Sequence, residues 1–281
     1  MNQLERRLYL TRSLLEENPT YRSIDVPEDP DAQKRLLRSL LNVRMPGLKD
    51  PSFMRAQDEY LSQVAGEKGI VRLCDIPVIR DRMSIWQGDI TRLETDAIVN
   101  AANSQMLGCF VPMHSCIDNC IHTYAGIQLR EECGRKMDAL RLKYGEDYEQ
   151  PTAVPMLTDA YNLPARKVIH VVGPIVSGRL TEAHENDLAL CYRNTLDMCL
   201  ENNLRSVAFC CISTGVFSFP NRRAAEIAVS TSEAWLKEHE GAMDRIVFNV
   251  FKDEDRRLYE ELLSRRIQGH DPERLQCRKT L

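Results

Sequence analysis

Three soft donors, Cys109, His114 and Cys116, fall within eight residues of one another, with Cys120 and His122 close behind. Thiolate sulfur and imidazole nitrogen are ligands that zinc favours. A site with three protein ligands keeps a fourth position for water or a substrate oxygen, whereas a structural site closes with four. No second Cys-x-x-Cys knuckle elsewhere in the chain completes an all-cysteine set, which favours the open arrangement. Helix register narrows the choice of ligands. If a helix starts near Asp118, Cys120 and His122 lie in its opening turns on different sides, while Cys109, His114 and Cys116 all precede it and can converge.

Polar motifs flank this cluster. Asp89 and Ile90 follow the strand-like run holding Trp86. A carboxylate there can accept an exocyclic amine of adenine while the Ile90 amide serves the ring, although an Asp turn bonding its own backbone is the simpler use. Asn100, Asn103 and Ser104 follow the apolar run 97–99, and their paired donors and acceptors suit ribose hydroxyls or the closing of a loop. Ser213, Thr214, Gly215, Val216 and Phe217 lie between an apolar run and a helix. Successive amides in such a loop form a nest for a diphosphate, with Phe217 placed to line a sugar. The plainer reading of this loop is a glycine turn whose phenylalanines cap the core.

The elements that must position these residues read as two layers. Residues 1–75 carry helical periodicity, with apolar stripes at Leu4, Leu8 and Leu15, at Leu36, Leu37, Leu40 and Leu41, and at Phe53, Met54, Tyr60, Leu61 and Val64, punctuated by prolines. About three helices are expected, too thin a layer to hold a core alone and suited to cover the rest of the chain. From residue 76 to 266, short β-branched runs (83–88, 96–102, 151–157, 167–173, 206–213, 244–251) alternate with helical stretches (118–133, 183–202, 222–240, 253–265). That alternation predicts an α/β fold with a mostly parallel sheet covered on both faces. The tail, 267–281, shows no periodicity.

Composition bounds the function classes. The chain has 281 residues, 43% hydrophobic and 28% charged, with 37 basic against 41 acidic side chains and a net charge of -4. That balance disfavours wrapping nucleic acid, which needs a basic face. No stretch approaches the ~18 uncharged apolar residues of a membrane span, and the first residues carry charges among their leucines, so a cytosolic protein is expected. In that compartment the remaining cysteines, such as Cys191, Cys199, Cys210 and Cys211, serve as small buried hydrophobes.

Together, NAAN at 100–103, IDNCIHTYAG at 117–126, TDAYNLPARKVIHVVGP at 158–174 and ISTGVFSFP at 212–220 resemble the macrodomain family over about residues 75–265. The resemblance implies a three-layer α/β/α sandwich that binds ADP-ribose. The MacroD-like branch has a glycine-rich loop where this chain has CFVPMHSCIDNCI, which is similar to the zinc-containing macrodomains linked to sirtuin-type ADP-ribosyltransferases. These also carry an N-terminal helical extension.

That likeness implies one Zn2+ per chain on Cys109, His114 and Cys116 and hydrolysis of ADP-ribose from mono-ADP-ribosylated protein side chains. It implies adenine contact by Asp89 and Ile90, distal-ribose contact by Asn103, and further ligand contacts by Cys116, Ile117, Asp118 and Asn119 at the helix start. Diphosphate contact falls to residues 213–217. Asn103 and Asp118 are the catalytic candidates, the latter orienting water or ribose, and a lipoyl carrier of the glycine-cleavage H type is the implied substrate protein. The alternative is a non-catalytic reader of ADP-ribose in which zinc only stiffens the loop.

Overall fold

Apolar runs such as AIVNAA, with scarcely a polar break, cannot leave either face in water, so they fold as strands covered on both sides. The computed structural model describes residues 1–264, and the expectations for the tail 267–281 and for the last residue of the helix 253–265 lie outside them. In chain order the elements are α1 (Gln3–Glu17), α2 (Pro30–Val43), α3 (Pro51–Lys68), β1 (Val71–Arg72), β2 (Met83–Gln87), β3 (Leu93–Glu94) and β4 (Ala97–Ala102). They continue with α4 (Ile117–Ala125), α5 (Ile127–Tyr144), β5 (Met156–Asp159), β6 (Lys167–Val172), α6 (Glu182–Glu201), β7 (Ser206–Phe209), α7 (Asn221–Glu238), β8 (Arg245–Val250) and α8 (Asp253–Ser264).

Six strands form one sheet in the order β2-β8-β7-β4-β6-β5, and β1 pairs separately with β3. Every neighbour in the large sheet runs parallel except β5, which is antiparallel to β6. Helices α6, α7 and α8 pack on one another and on β6, β8 and β2, while α4 and α5 pack on β4 and β5 and carry α2 and α3. The expected mostly parallel α/β sheet with N-terminal helices is borne out.

The differences from expectation have local causes. The stretch 118–133 is not one helix but the junction of two, broken at Gly126. There φ is +95°, and a Cβ would stand 2.7 Å from the amide of Gln57 on α3, so the break is set by the neighbouring layer as well as by glycine's freedom. The run 151–157 becomes a strand only from Met156, since Pro151 and Pro155 bring no N–H to a ladder. The run 206–213 leaves the sheet after Phe209, and Ser213 turns to φ +63°. On α1 the inward stripe is Leu10, Leu14 and Leu15, whereas Leu4 is exposed and Leu8 only half-buried.

The N-terminal layer has its own apolar cluster, built from Leu10, Leu14, Leu37, Leu40, Phe53, Tyr60 and Leu61 among others, and Ile127 of α5 belongs to it. Polar contacts reinforce the join: Gln57 accepts from the Ile127 amide at 3.0 Å and donates to Gln128 at 2.7 Å. Helix starts are conventionally fixed, with Asp29 and Asp50 capping α2 and α3 ahead of Pro30 and Pro51. Phe53 is fully buried in this layer. Phe53→Ala is expected to cost about 3–5 kcal/mol and, because the layer shares Ile127 with the sheet domain, to lower the midpoint of one cooperative urea transition. Two separated transitions would show the layer to be an independent unit.

Candidate active site

The C-terminal ends of β4, β6 and β7, adjacent in one parallel sheet, open onto the same edge, where an α/β fold leaves its crevice. The loop leaving β7 presents three consecutive amides, Gly215, Val216 and Phe217, that have no protein acceptor among the described residues. The turn is closed around them: Phe219 N donates to Ser213 O at 3.0 Å, Ser218 N to Gly215 O at 3.1 Å, and Val176 N to Phe217 O at 2.9 Å. Val216 and Gly215 are exposed, Thr214 and Phe217 half-buried, and Ser213 buried with an unpartnered hydroxyl. Facing the same edge, the amides of Ile117 and Asp118 at the head of α4 also find no protein acceptor among the described residues, and the helix dipole adds to their positive field. The two sets of amides suit an anion.

Asp118, in the first turn of α4, is almost completely surrounded by the fold. Its Oδ1 accepts from Asn100 Nδ2 at 2.7 Å, its Oδ2 lies 3.4 Å from Asn103 Nδ2, and His122 Nε2 stands 3.6 Å away. Burial raises its pKa to about 6 despite the Asn100 hydrogen bond and the Arg130 charge. Asn100 is fully buried and its second N–H reaches His170 Nδ1 at 3.0 Å. His170 Nε2 in turn meets Thr158 Oγ1 at 3.0 Å, and burial drives this imidazole down to about 3, so it is neutral. The two asparagines of NAAN therefore divide the work. Asn100 holds the carboxylate from beneath, and half-buried Asn103 stands beside it, facing the crevice and braced by Gly108 O at 3.2 Å and the Gln105 amide at 3.0 Å.

The loop between β4 and α4 brings Cys109, His114 and Cys116 together, one donor atom from each lying within 4.8 Å of the other two. Cys109 Sγ and His114 Nδ1 are 3.5 Å apart. All three are half-buried, as an open site requires. Tetrahedral zinc would draw its ligand atoms to separations of roughly 3.3–3.8 Å, a contraction that side-chain rotation supplies, so the donor set and spacing fit the ion. Cys116 also caps α4, accepting from the Asn119 amide at 3.4 Å. Burial lifts its thiol to about 12, outweighing that amide, and the neighbouring Cys109 adds to the rise. Cys116 thus keeps its proton until a cation displaces it.

Cys120 points elsewhere, toward Arg38 at 3.6 Å. His122 lies in a second buried group with Cys133 and His170. There His170 is already bonded at both nitrogens, and Gly108 must be glycine because a Cβ would meet the His122 ring at 2.7 Å. That group reads as polar support beneath Asp118 rather than as a ligand set.

Other expected site residues have mixed placements. Asp89 caps the short turn Ile90–Arg92, accepting from Thr91 N and Oγ1, and pairs with Lys68 of α3 at 2.5 Å. Burial works against its ionisation but Lys68 and Thr91 win, so its pKa is lowered. The amide of Ile90 has no protein acceptor among the described residues. Asn119 lies wholly inside: its side chain donates to Cys109 O at 3.2 Å and Val111 O at 3.0 Å, which leaves it for holding the loop and not for touching a ligand. Sequence reasoning passed over Phe251, 78% exposed just beyond β8, where Gln87 donates to its carbonyl at 3.2 Å. An exposed aromatic at the end of a strand adjacent to Asp89 was the available signal.

Fold and site together define an α/β domain whose strand ends present amides suited to an anionic ligand. Residues 99–228 match the Macro domain model, and the chain belongs to the macrodomain family. It is 49% identical over 268 residues to a protein-ADP-ribose hydrolase of Treponema medium, covering 94% of this chain and 100% of that protein. A protein-ADP-ribose hydrolase of Staphylococcus aureus strain Mu50 is 40% identical, covering 92% of this chain and 94% of its own length. Among solved structures, the Trypanosoma brucei macrodomain in complex with ADP-ribose superposes with a TM-score of 0.61 at 28% identity, over 84% of this chain and 97% of that one.

The buried Asp118 makes a stability prediction. Its folded pKa of about 6 lies above the unfolded value, so the stability it contributes is fully present below about pH 4 and is lost as pH rises through about 6. In metal-free protein, Asp118→Asn should gain on the wild type by up to about 3 kcal/mol between pH 4 and pH 7.5. Urea denaturation at the two pH values measures it, and a difference that does not change with pH would contradict the assignment.

Proposed function

We propose that this chain is a zinc-dependent hydrolase that removes ADP-ribose from mono-ADP-ribosylated protein side chains. The observation that carries the reading is the convergence of Cys109, His114 and Cys116 in the loop that runs into Asp118, which Asn103 meets at 3.4 Å. The activity named for the two bacterial relatives, at 49% and 40% identity over nearly the whole chain, supports the reaction class. No helix among the described residues is long and apolar enough to cross a membrane.

In this reading the amides of residues 215–217 and the head of α4 hold the diphosphate, with Asp89 and the Ile90 amide on the adenine and Phe251 stacked against it. Asn103 fixes a hydroxyl of the distal ribose, donating or accepting as the sugar demands. Asp118, as the carboxylate, takes a proton from the attacking water or from that hydroxyl, and Asn100 keeps it aimed. Cys109, His114 and Cys116 would hold a Zn2+, which would supply Lewis-acid chemistry to the reaction. Water adds to the anomeric carbon, the bond to the protein breaks, and the side chain leaves with the proton it needs. Positioning and charge stabilisation, not a covalent intermediate, provide the rate. A lipoyl carrier of the glycine-cleavage H type is the proposed substrate protein, and the cytosol the proposed compartment.

The test pairs metal content with turnover on such a mono-ADP-ribosylated carrier. Wild-type protein should release free ADP-ribose and contain about one zinc per chain. Cys116→Ala should lose the metal and at least about 100-fold in kcat, a loss of the size expected when a charge-stabilising group is removed, while ADP-ribose affinity changes far less. Tight binding of ADP-ribose with no release from the carrier would favour a reader whose metal only orders the loop.

A further inference from the structure

The geometry points to Arg38 and Asn42, both on α2 of the N-terminal layer, as positioning residues that set the affinity of the Cys109, His114 and Cys116 loop for its ion. This deepens the proposed function and rests on its metal site. A loop lacking a strand or helix ladder must have its backbone pinned by neighbours if three side chains are to converge. Arg38 Nη2 donates to His114 O at 2.8 Å and to Asn119 Oδ1 at 2.9 Å. The second contact fixes which way the Asn119 amide faces, and that amide holds Cys109 O at 3.2 Å and Val111 O at 3.0 Å. The backbone N–H of Asn119 meets Cys116 Sγ at 3.4 Å. One guanidinium thus touches the His114 residue directly and reaches Cys109 and Cys116 through a single intermediary.

Asn42 holds the other side. It is buried, its Oδ1 accepts from Met113 N at 3.0 Å, and its Nδ2 donates to Thr123 Oγ1 on α4 at 2.8 Å. Met113, immediately before His114, sits at φ +59°, a conformation that a side chain of its kind takes only when held there. The N-terminal layer therefore grips the loop at the two residues that aim the imidazole. Packing alone does not require this: Leu10 serves the same layer's core from α1, away from the loop.

The experiment measures zinc affinity of the full chain by competition with a chromophoric chelator, together with the visible spectrum of the cobalt-substituted protein. Arg38→Met and Asn42→Leu should each weaken zinc binding about 10–100-fold, the usual loss when a group supporting a metal ligand is removed, and should change the cobalt ligand-field bands. Arg38→Lys should recover part of the loss, since both contacts come from the single nitrogen Nη2, whose donors an ammonium can replace. Leu10→Ala should lower thermal stability while leaving zinc affinity and the cobalt spectrum at wild-type values. Wild-type zinc affinity in folded Arg38→Met and Asn42→Leu overturns this inference alone, and an equal loss in Leu10→Ala does so too by showing a general softening. A wild-type chain that binds no zinc overturns the metal reading and this inference with it.

Discussion

A loop with no ladder of its own can bring sulfur and nitrogen donors to one point only when the surrounding elements take up its carbonyls and amides. Between β4 and α4 that condition is met from three directions. Arg38 and Asn42 hold the backbone at His114 and Met113, Asn119 holds it at Cys109 and Val111, and Arg130 of α5 donates to Leu107 O at 2.8 Å while its guanidinium lies 4.4 Å from the Phe110 ring centre. Arg130 also donates to Leu41 O and Asn42 O at the end of α2, so the same side chain ties the loop to the N-terminal layer. The helices of residues 1–68 thereby belong to the site's architecture as well as to its cover.

A second constraint is the carboxylate beneath the crevice. A buried Asp is costly unless it is hydrogen-bonded, and here Asn100 supplies one strong donor while the pKa still rises to about 6. His122, neutral because burial lowers it well below the usual value, sits at the carboxylate with both nitrogens unpartnered. Such unsatisfied groups are rare in ordinary interiors and concentrate where function tolerates a cost. The Ser213 hydroxyl and the amides of residues 215–217, at the C-terminal ends of the strands, are likewise without a protein partner among the described residues.

Much of this was legible in the residues because the informative signals were local. The run 97–102, the trio Cys109, His114 and Cys116, and the loop 213–217 each lie within a short span, and register alone separated the trio from Cys120 and His122. What sequence could not disclose was set by distant partners. Arg38 meets His114 across 76 positions and Asn42 meets Met113 across 71. The break at Gly126 depends on Gln57, and the division of roles between Asn100 and Asn103 depends on Asp118 and His170 lying under one and beside the other. Asn119 read as a ligand contact because it follows Asp118 on a helix start, yet its side chain turns inward to the loop. On α1 the buried face is Arg7, Leu10, Thr11, Leu14 and Leu15, so of the expected leucine stripe only Leu15 is buried.

The central claim is that the three donors hold a cation at the sugar. Its most direct measurement is anomalous scattering at the zinc edge from crystals grown with ADP-ribose. The account predicts a single peak about 2.0–2.3 Å from Cys109 Sγ, Cys116 Sγ and a ring nitrogen of His114, with the distal ribose beside it and the diphosphate on the amides of residues 215–217. ADP-ribose seated in that crevice with no anomalous peak, and with Cys109 and Cys116 turned into the interior, would contradict it.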